Sequence, residues 1–212
     1  MKLYIGNKKY SSWSLRPWLA LKVRNIPFEE VLVPFDMEAG NPEFRKFSPT
    51  GKVPCLLDGD LTVWESLAIL EYVADKHPEA HLWPAGIAER AIARAVAHEM
   101  HGGFGALRNS CPMNMSREPS PIDVPAAVHA DAARIEQLWS ECLQKSGGPF
   151  LFGEFTNVDA MYAPVVNRLE IYCLGASDAV QQYSNAMKSL EAWKEWEQAG
   201  RAETWYVAED EV

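Results

Sequence analysis

A short apolar run, KLYIG (residues 2–6), reads as a strand. After the polar cluster YSSWS, the stretch LRPWLALKVRN places Leu15, Trp18, Leu19 and Val23 at helical spacing. Pro17 is compatible with that helix because it falls in the first turn, and Asn25–Ile26–Pro27 ends it. FEEVLVPF (residues 28–35) predicts a second strand. Residues 37–54 are rich in Gly, Pro and Asn and predict irregular chain with one helical turn at 43–47. CLLD and LTVW then flank Gly59–Asp60, the pattern of a hairpin. ESLAILEYVADKH repeats Leu67, Leu70 and Val73 at three-residue steps and predicts an amphipathic helix, stopped by Pro78.

Strand–helix–strand forces a parallel pair, and the hairpin extends it to a four-stranded mixed sheet with helices on its faces. The pattern changes after HLWPAG (residues 81–86), and no comparable strand follows. Four helices are predicted instead: 87–109 with a glycine-rich middle, 124–145, 156–175 and 189–199. The third is apolar nearly all round and is expected to be buried. The expectation is an α/β domain at residues 1–80 followed by an all-α domain at residues 87–212.

Composition narrows the classes. The formal net charge is −9 and no basic run occurs, which excludes a phosphate-backbone partner. No apolar stretch approaches the roughly 18 residues a membrane span needs, and MKLYIG lacks the apolar core of a secretory signal. Cys55, Cys111, Cys142 and Cys173 form no C-x-x-C pair, so they read as free thiols in a reducing cytoplasm.

Ser11, Ser12 and Ser14 stand at the junction of the first strand and helix. One serine there is a good helix cap, contributing about 1 kcal/mol. Three in four positions exceed that need, and a hydroxyl at the positive end of a helix can also donate to an anion. In GKVP, the extended residue before proline leaves the Val53 N–H and C=O free to pair with an extended peptide. In WES, Glu65 and Ser66 open the second helix; the residues read equally as a helix start or as a site for an ammonium and a carboxylate. Thr156 and Asp159 form a capping box with a folding role. His98 and His101 lack a third metal ligand at fixed geometry and are expected on a surface or interface, so no metal is expected. Glycines with Phe104, Met113 and Met115 suit an adaptable apolar wall. Arg108 reads either as a surface arginine or as a partner for a carboxylate.

A small mixed α/β unit followed by a helical bundle is similar to the cytosolic glutathione S-transferase family. KVPCL resembles the family's strand start with a cis proline, ESLAILEYV its acid–Ser turn and following helix, and TNVDAMYAPVV its bundle capping box. SSWSLR resembles the SSCSWR run of the zeta class, so the resemblance is closest to serine-type, zeta-class-like bacterial members. It implies a thioredoxin-like first domain that binds glutathione and a helical domain that holds a small electrophile. Ser11 takes the position that keeps the glutathione sulfur ionised and Ser12 a supporting one; theta- or delta-like counting from Arg16 gives the other assignment. Trp13 stands where the zeta run has cysteine and joins the glutathione contacts. Val53, beside a cis Pro54, pairs with the cysteinyl backbone, Lys52 with the glycyl carboxylate, and Glu65 and Ser66 with the γ-glutamyl zwitterion. Phe104, Arg108 and Met113 face the second substrate, and Arg16 is an ion-pair partner below the site. Arg168 stands several positions earlier than a zeta isomerase's substrate arginine, which counts against maleylacetoacetate isomerisation. The family also implies a homodimer and a detoxifying transferase. A non-catalytic adaptor or stress protein and a glutathione-dependent isomerase or peroxidase are the alternatives.

Overall fold

The computed structural model describes residues 1–212. In chain order the elements are β1 (Lys2–Ile5), α1 (Ser12–Val23), β2 (Glu29–Leu32), β3 (Cys55–Asp58), β4 (Leu61–Trp64) and α2 (Ser66–Lys76). Six further helices follow: α3 (Ile87–Gly102), α4 (Gly105–Ser110), α5 (Ala126–Ser146), α6 (Asn157–Ile171), α7 (Asp178–Ser189) and α8 (Glu191–Ala202). The sheet order is β2-β1-β3-β4. β1 runs parallel to β2 and antiparallel to β3, and β3–β4 is the expected hairpin with Cys55 opposite Trp64. This is the four-stranded mixed sheet the sequence pattern predicts and the thioredoxin-like arrangement the resemblance implies, followed by helices.

Local chemistry explains the boundaries. At the β3–β4 turn, Gly59 sits at φ +59, a conformation that favours glycine. The predicted helix over residues 87–109 is two helices. Gly103 is extended there, and a Cβ on it would lie 2.5 Å from the Glu99 carbonyl oxygen. Phe104 adopts φ +56 and starts α4 in a new direction. The helix α7 was not foreseen. Only Val180, Tyr183 and Met187 of its residues are buried, a stripe too narrow to show against a polar segment.

The helix α6 carries the centre of the molecule. Every residue of it except Glu170 is buried. Its start is the predicted capping box: the Asp159 carboxylate accepts the Thr156 N–H at 2.7 Å, and the Thr156 hydroxyl accepts from the first turn of the helix. Asp159 also accepts the Leu151 N–H and the Tyr183 hydroxyl. Burial nevertheless pushes its carboxyl up to about 6.

One continuous cluster of 47 buried residues runs from Leu3 in β1 to Trp196 in α8. Trp18 and Trp196 meet edge to face at 5.0 Å, tying α1 to α8. Such pairs contribute about 0.5–1.5 kcal/mol beyond their burial. After α8 the chain does not leave the molecule: residues 203–211 return across the β1–α1 loop. No helix is long and apolar enough to cross a membrane.

Candidate active site

The β1–α1 loop presents the serines. Ser11 is the N-cap residue of α1, yet its side chain makes no capping bond. Its hydroxyl instead donates to the Ser14 hydroxyl at 2.7 Å, and Ser14 accepts the Gly6 N–H at 3.2 Å. Ser11 and Ser14 are buried, whereas Ser12 is half-buried on the first turn of α1. The capping explanation for this cluster therefore does not apply. Two hydroxyls are held at the positive end of a helix.

Ser11 and Ser12 line a cavity of about 390 Å³ that Trp13, Met113, Arg108 and Arg168 also line. A second cavity, about 300 Å³, is lined by Lys52, Val53, Pro54, Glu65, Ser66 and His101. The two share Trp13, Lys52, Val53 and Arg108, so they adjoin. Ser11, Ser12, Trp13, Lys52, Val53, Pro54, Glu65, Ser66, Arg108 and Met113 are thus brought together around one divided hollow. Phe104 is not among its walls. It is buried on Tyr162, with ring centroids 6.4 Å apart, because its left-handed backbone turns the side chain into the bundle core.

Around the smaller cavity the backbone departs from regular geometry. The Val53–Pro54 peptide is cis, and Val53 N–H and C=O take part in no backbone bond outside the sheet. Glu65 holds φ +68, a costly conformation for a residue with a Cβ. The Ser66 hydroxyl is buried without a partner. His101, from α3, lies edge-on to Trp13 at 5.3 Å with its Nε2 3.9 Å from the Glu65 carboxylate. Burial, foremost, lowers its pKa, and the buried Nδ1 has no partner. The expectation of a surface or interface histidine is corrected: His101 is part of the cavity wall.

Arg16 is also corrected. No carboxylate pairs with it. Its Nε donates to the Met161 carbonyl at 3.0 Å, and its guanidinium stacks on Trp13, 3.8 Å from the ring centroid. On the same indole ring Arg108 stands 5.0 Å from the centroid. Arg168, fully buried, donates from Nε to the Cys111 carbonyl at 2.8 Å and leaves one terminal nitrogen unpartnered. Burial, followed by the Arg108 charge, pushes Arg168 down to about 10, and burial with the Arg168 and Arg108 charges lowers Arg16 as well. Three guanidiniums without a carboxylate partner surround Trp13 and the larger cavity in a chain of net charge −9. No group of three or more His, Cys, Asp or Glu side chains gathers as a metal site.

Residues 10–76, which contain the serine run, Val53–Pro54 and Glu65–Ser66, match the family model described as the glutathione S-transferase N-terminal domain. A zeta-class glutathione S-transferase of Euphorbia esula is 32% identical over 157 residues, which is 72% of this chain and 69% of that protein. The chain belongs to the glutathione S-transferase family. Along nearly its whole length it is also similar to the maleylacetoacetate isomerase of Rattus norvegicus, at 27% identity over 198 residues, 91% of this chain and 89% of that one. In fold it matches a Burkholderia glutathione transferase homolog crystallised with bound glutathione. The TM-score is 0.73 at 21% identity, covering 94% of this chain and 97% of the other. In this chain the adjoining cavities bring together the serine run, the Val-Pro edge and the Glu-Ser turn.

Proposed function

We propose that the chain is a serine-type glutathione S-transferase. Glutathione lies along the smaller cavity of a first domain, residues 1–80, and a small electrophile enters the larger cavity against the helices of a second, residues 87–212. The observation that carries this reading is the junction of the two cavities beside Ser11 and Ser12. The γ-glutamyl group meets Glu65 and Ser66, the cysteinyl backbone pairs with Val53, and the glycyl carboxylate meets Lys52. The cysteinyl sulfur then falls at the start of α1.

The chemistry follows from charge. A free thiol has a pKa of about 8.5, so little is ionised at neutral pH. A hydrogen bond to a charged group contributes about 1.5–3 kcal/mol. At about 1.4 kcal/mol per unit, one hydroxyl lowers the bound thiol by one to two units. Ser11 donates to the sulfur once Ser14 turns to donate to Ser11, which its retained Gly6 contact permits. Ser12, whose hydroxyl has no partner, gives a second donor. The thiol proton passes to solvent, and the thiolate forms a carbon–sulfur bond either as a leaving group departs with the electron pair of its broken bond, or as the π pair of an activated double bond moves onto the withdrawing group and takes a proton from solvent.

Arg108 and Arg168 line the larger cavity bonded to backbone carbonyls and to no carboxylate, which favours a second reading, in which the partner of the thiolate is a carboxylate-bearing substrate and the reaction is a glutathione-dependent isomerisation. A non-catalytic adaptor has no such support, since the side chains proposed to meet glutathione all line the paired cavities. A homodimer is expected from the family.

The test is the ultraviolet titration of bound glutathione. Thiolate absorbance in the wild type is expected to rise with a midpoint one to two units below that of free glutathione. Ser11→Ala moves that midpoint up. A midpoint unchanged in Ser11→Ala and raised in Ser12→Ala transfers the role to Ser12; no depression in the wild type overturns the reading.

A further inference from the structure

The loop that delivers Ser11 and Ser12 makes few bonds of its own. The Ser11 N–H donates to the Asn7 carbonyl at 2.8 Å, and the Ser12 N–H donates to the Tyr10 carbonyl at 2.8 Å. The amides between them, Lys8 and Lys9, take their partner from 195 residues away. One carboxylate, Glu203, accepts both: the Lys8 N–H at 2.7 Å on Oε1 and the Lys9 N–H at 3.0 Å on Oε2. Glu203 is half-buried, and its two oxygens are held by two neighbouring peptide planes rather than by a side-chain cation. One turn earlier, Gly200 packs directly beneath the same place. A Cβ there would lie 3.1 Å from the Lys8 carbonyl carbon and the Lys9 nitrogen. Beyond Glu203 the chain crosses to Tyr10, whose hydroxyl donates to Glu211 at 2.5 Å, while Lys9 pairs with the same carboxylate at 2.8 Å. The intervening Val207, Glu209 and Asp210 line the cavity that holds the serines.

We propose that Glu203 is a positioning residue for the thiolate-holding serines, clamping the Lys8 and Lys9 amides from the C-terminal segment so that the Ser11 hydroxyl is fixed relative to Val53. This rests on the serine reading above. The physical case is geometric. Val53 fixes the cysteinyl backbone and the clamp fixes the hydroxyl, so the oxygen–sulfur distance depends on both. A charge-assisted bidentate contact constrains two successive peptide planes, which a single neutral bond does not. A displacement of about 1 Å in a catalytic group lowers rate by as much as a hundredfold without loss of substrate binding.

Glu203→Gln replaces one accepting oxygen with an amide nitrogen that faces an N–H. The expected result is a thiol titration of bound glutathione shifted up by about half a unit or more and a kcat lowered about tenfold. The glutathione dissociation constant is expected to stay within about twofold, because Val53, Glu65 and Ser66 are untouched. Glu203→Asp restores the titration in part, since two oxygens return. Gly200→Ala leaves the carboxylate in place but presses on the Lys8–Lys9 peptide, and it shifts the titration in the same direction. That variant carries the test if Glu203→Gln does not fold. A depressed wild-type midpoint that neither variant moves overturns the clamp while leaving the serine reading intact. Proportional loss of glutathione affinity and kcat together with thermal stability reduces Glu203 to a structural contact and also overturns it. An undepressed wild-type midpoint overturns the serine reading and the clamp with it.

Discussion

The Ser11 hydroxyl donates to the Ser14 hydroxyl across 2.7 Å, one turn apart at the start of α1. Ser14 in turn accepts the Gly6 amide at the end of β1, so the strand end, the loop and the helix are joined through two side chains. The third serine of the run thus has a role distinct from the two that line the cavity.

Ser14→Ala removes the acceptor for a buried N–H, which costs about 1–3 kcal/mol of stability. It also leaves the Ser11 hydroxyl without the donor that supports it when the sulfur is charged. Chemical denaturation is expected to show the stability loss, and the bound thiol is expected to titrate higher than in the wild type but lower than in Ser11→Ala. A titration equal to wild type would remove Ser14 from the network.

Arg168→Leu separates substrate charge from substrate shape. For a carboxylate-bearing electrophile, KM is expected to rise tenfold or more, as the loss of a charge-assisted bond of about 1.5–3 kcal/mol implies. For its neutral ester or amide, KM is expected to stay near the wild-type value, as is KM for glutathione. Equal effects on acid and ester would assign Arg168 to packing.

Asp159 sets a pH dependence of stability. Its carboxyl is pushed up by burial from 3.8 to about 6, so the folded state holds the proton more tightly than the unfolded one. Ionising it costs folding free energy as pH rises through 4 to 6, and the cost is complete above 6. Asp159→Asn does not titrate. The stability difference between variant and wild type is therefore expected to move in the variant's favour, by up to ~3 kcal/mol, between pH 4 and pH 7. Urea unfolding of both proteins at the two pH values checks it; a constant difference would contradict the shift.

Phe104→Ala tests whether that ring serves packing rather than substrate. A phenylalanine buried on Tyr162 is expected to cost about 3–5 kcal/mol when truncated. KM for glutathione and for the second substrate are expected to hold wherever the variant remains folded, and steady-state kinetics below its melting range measure both.

Much of this was legible in sequence because it is local. The β3–β4 hairpin bounds follow from the short apolar runs that flank the Gly59–Asp60 turn, and the capping box from Thr156 and Asp159 three apart. Val53–Pro54 and Glu65–Ser66 stand out as short motifs, and both reach the cavity. What escaped is long-range. Arg168 is one of four buried polar residues in α6, and only the packing of that helix shows which way it reaches. His101 looked like a surface residue until the break at Gly103 placed α3's end beside Trp13. Arg16 was expected to find an acid, and instead found an indole face and a carbonyl, partners that leave no sequence pattern. Glu203 meets Lys8 across nearly the full chain, and no periodicity encodes that.

The unbroken apolar cluster from Leu3 to Trp196 has a consequence for how the molecule melts. Because the apolar cluster is continuous from sheet to bundle and the buried Arg16 and Asn157 bond across the junction, neither half keeps its interior once the other opens. Heating should therefore open the smaller and the larger cavity in one cooperative transition, and a ligand in either should raise the melting temperature of both.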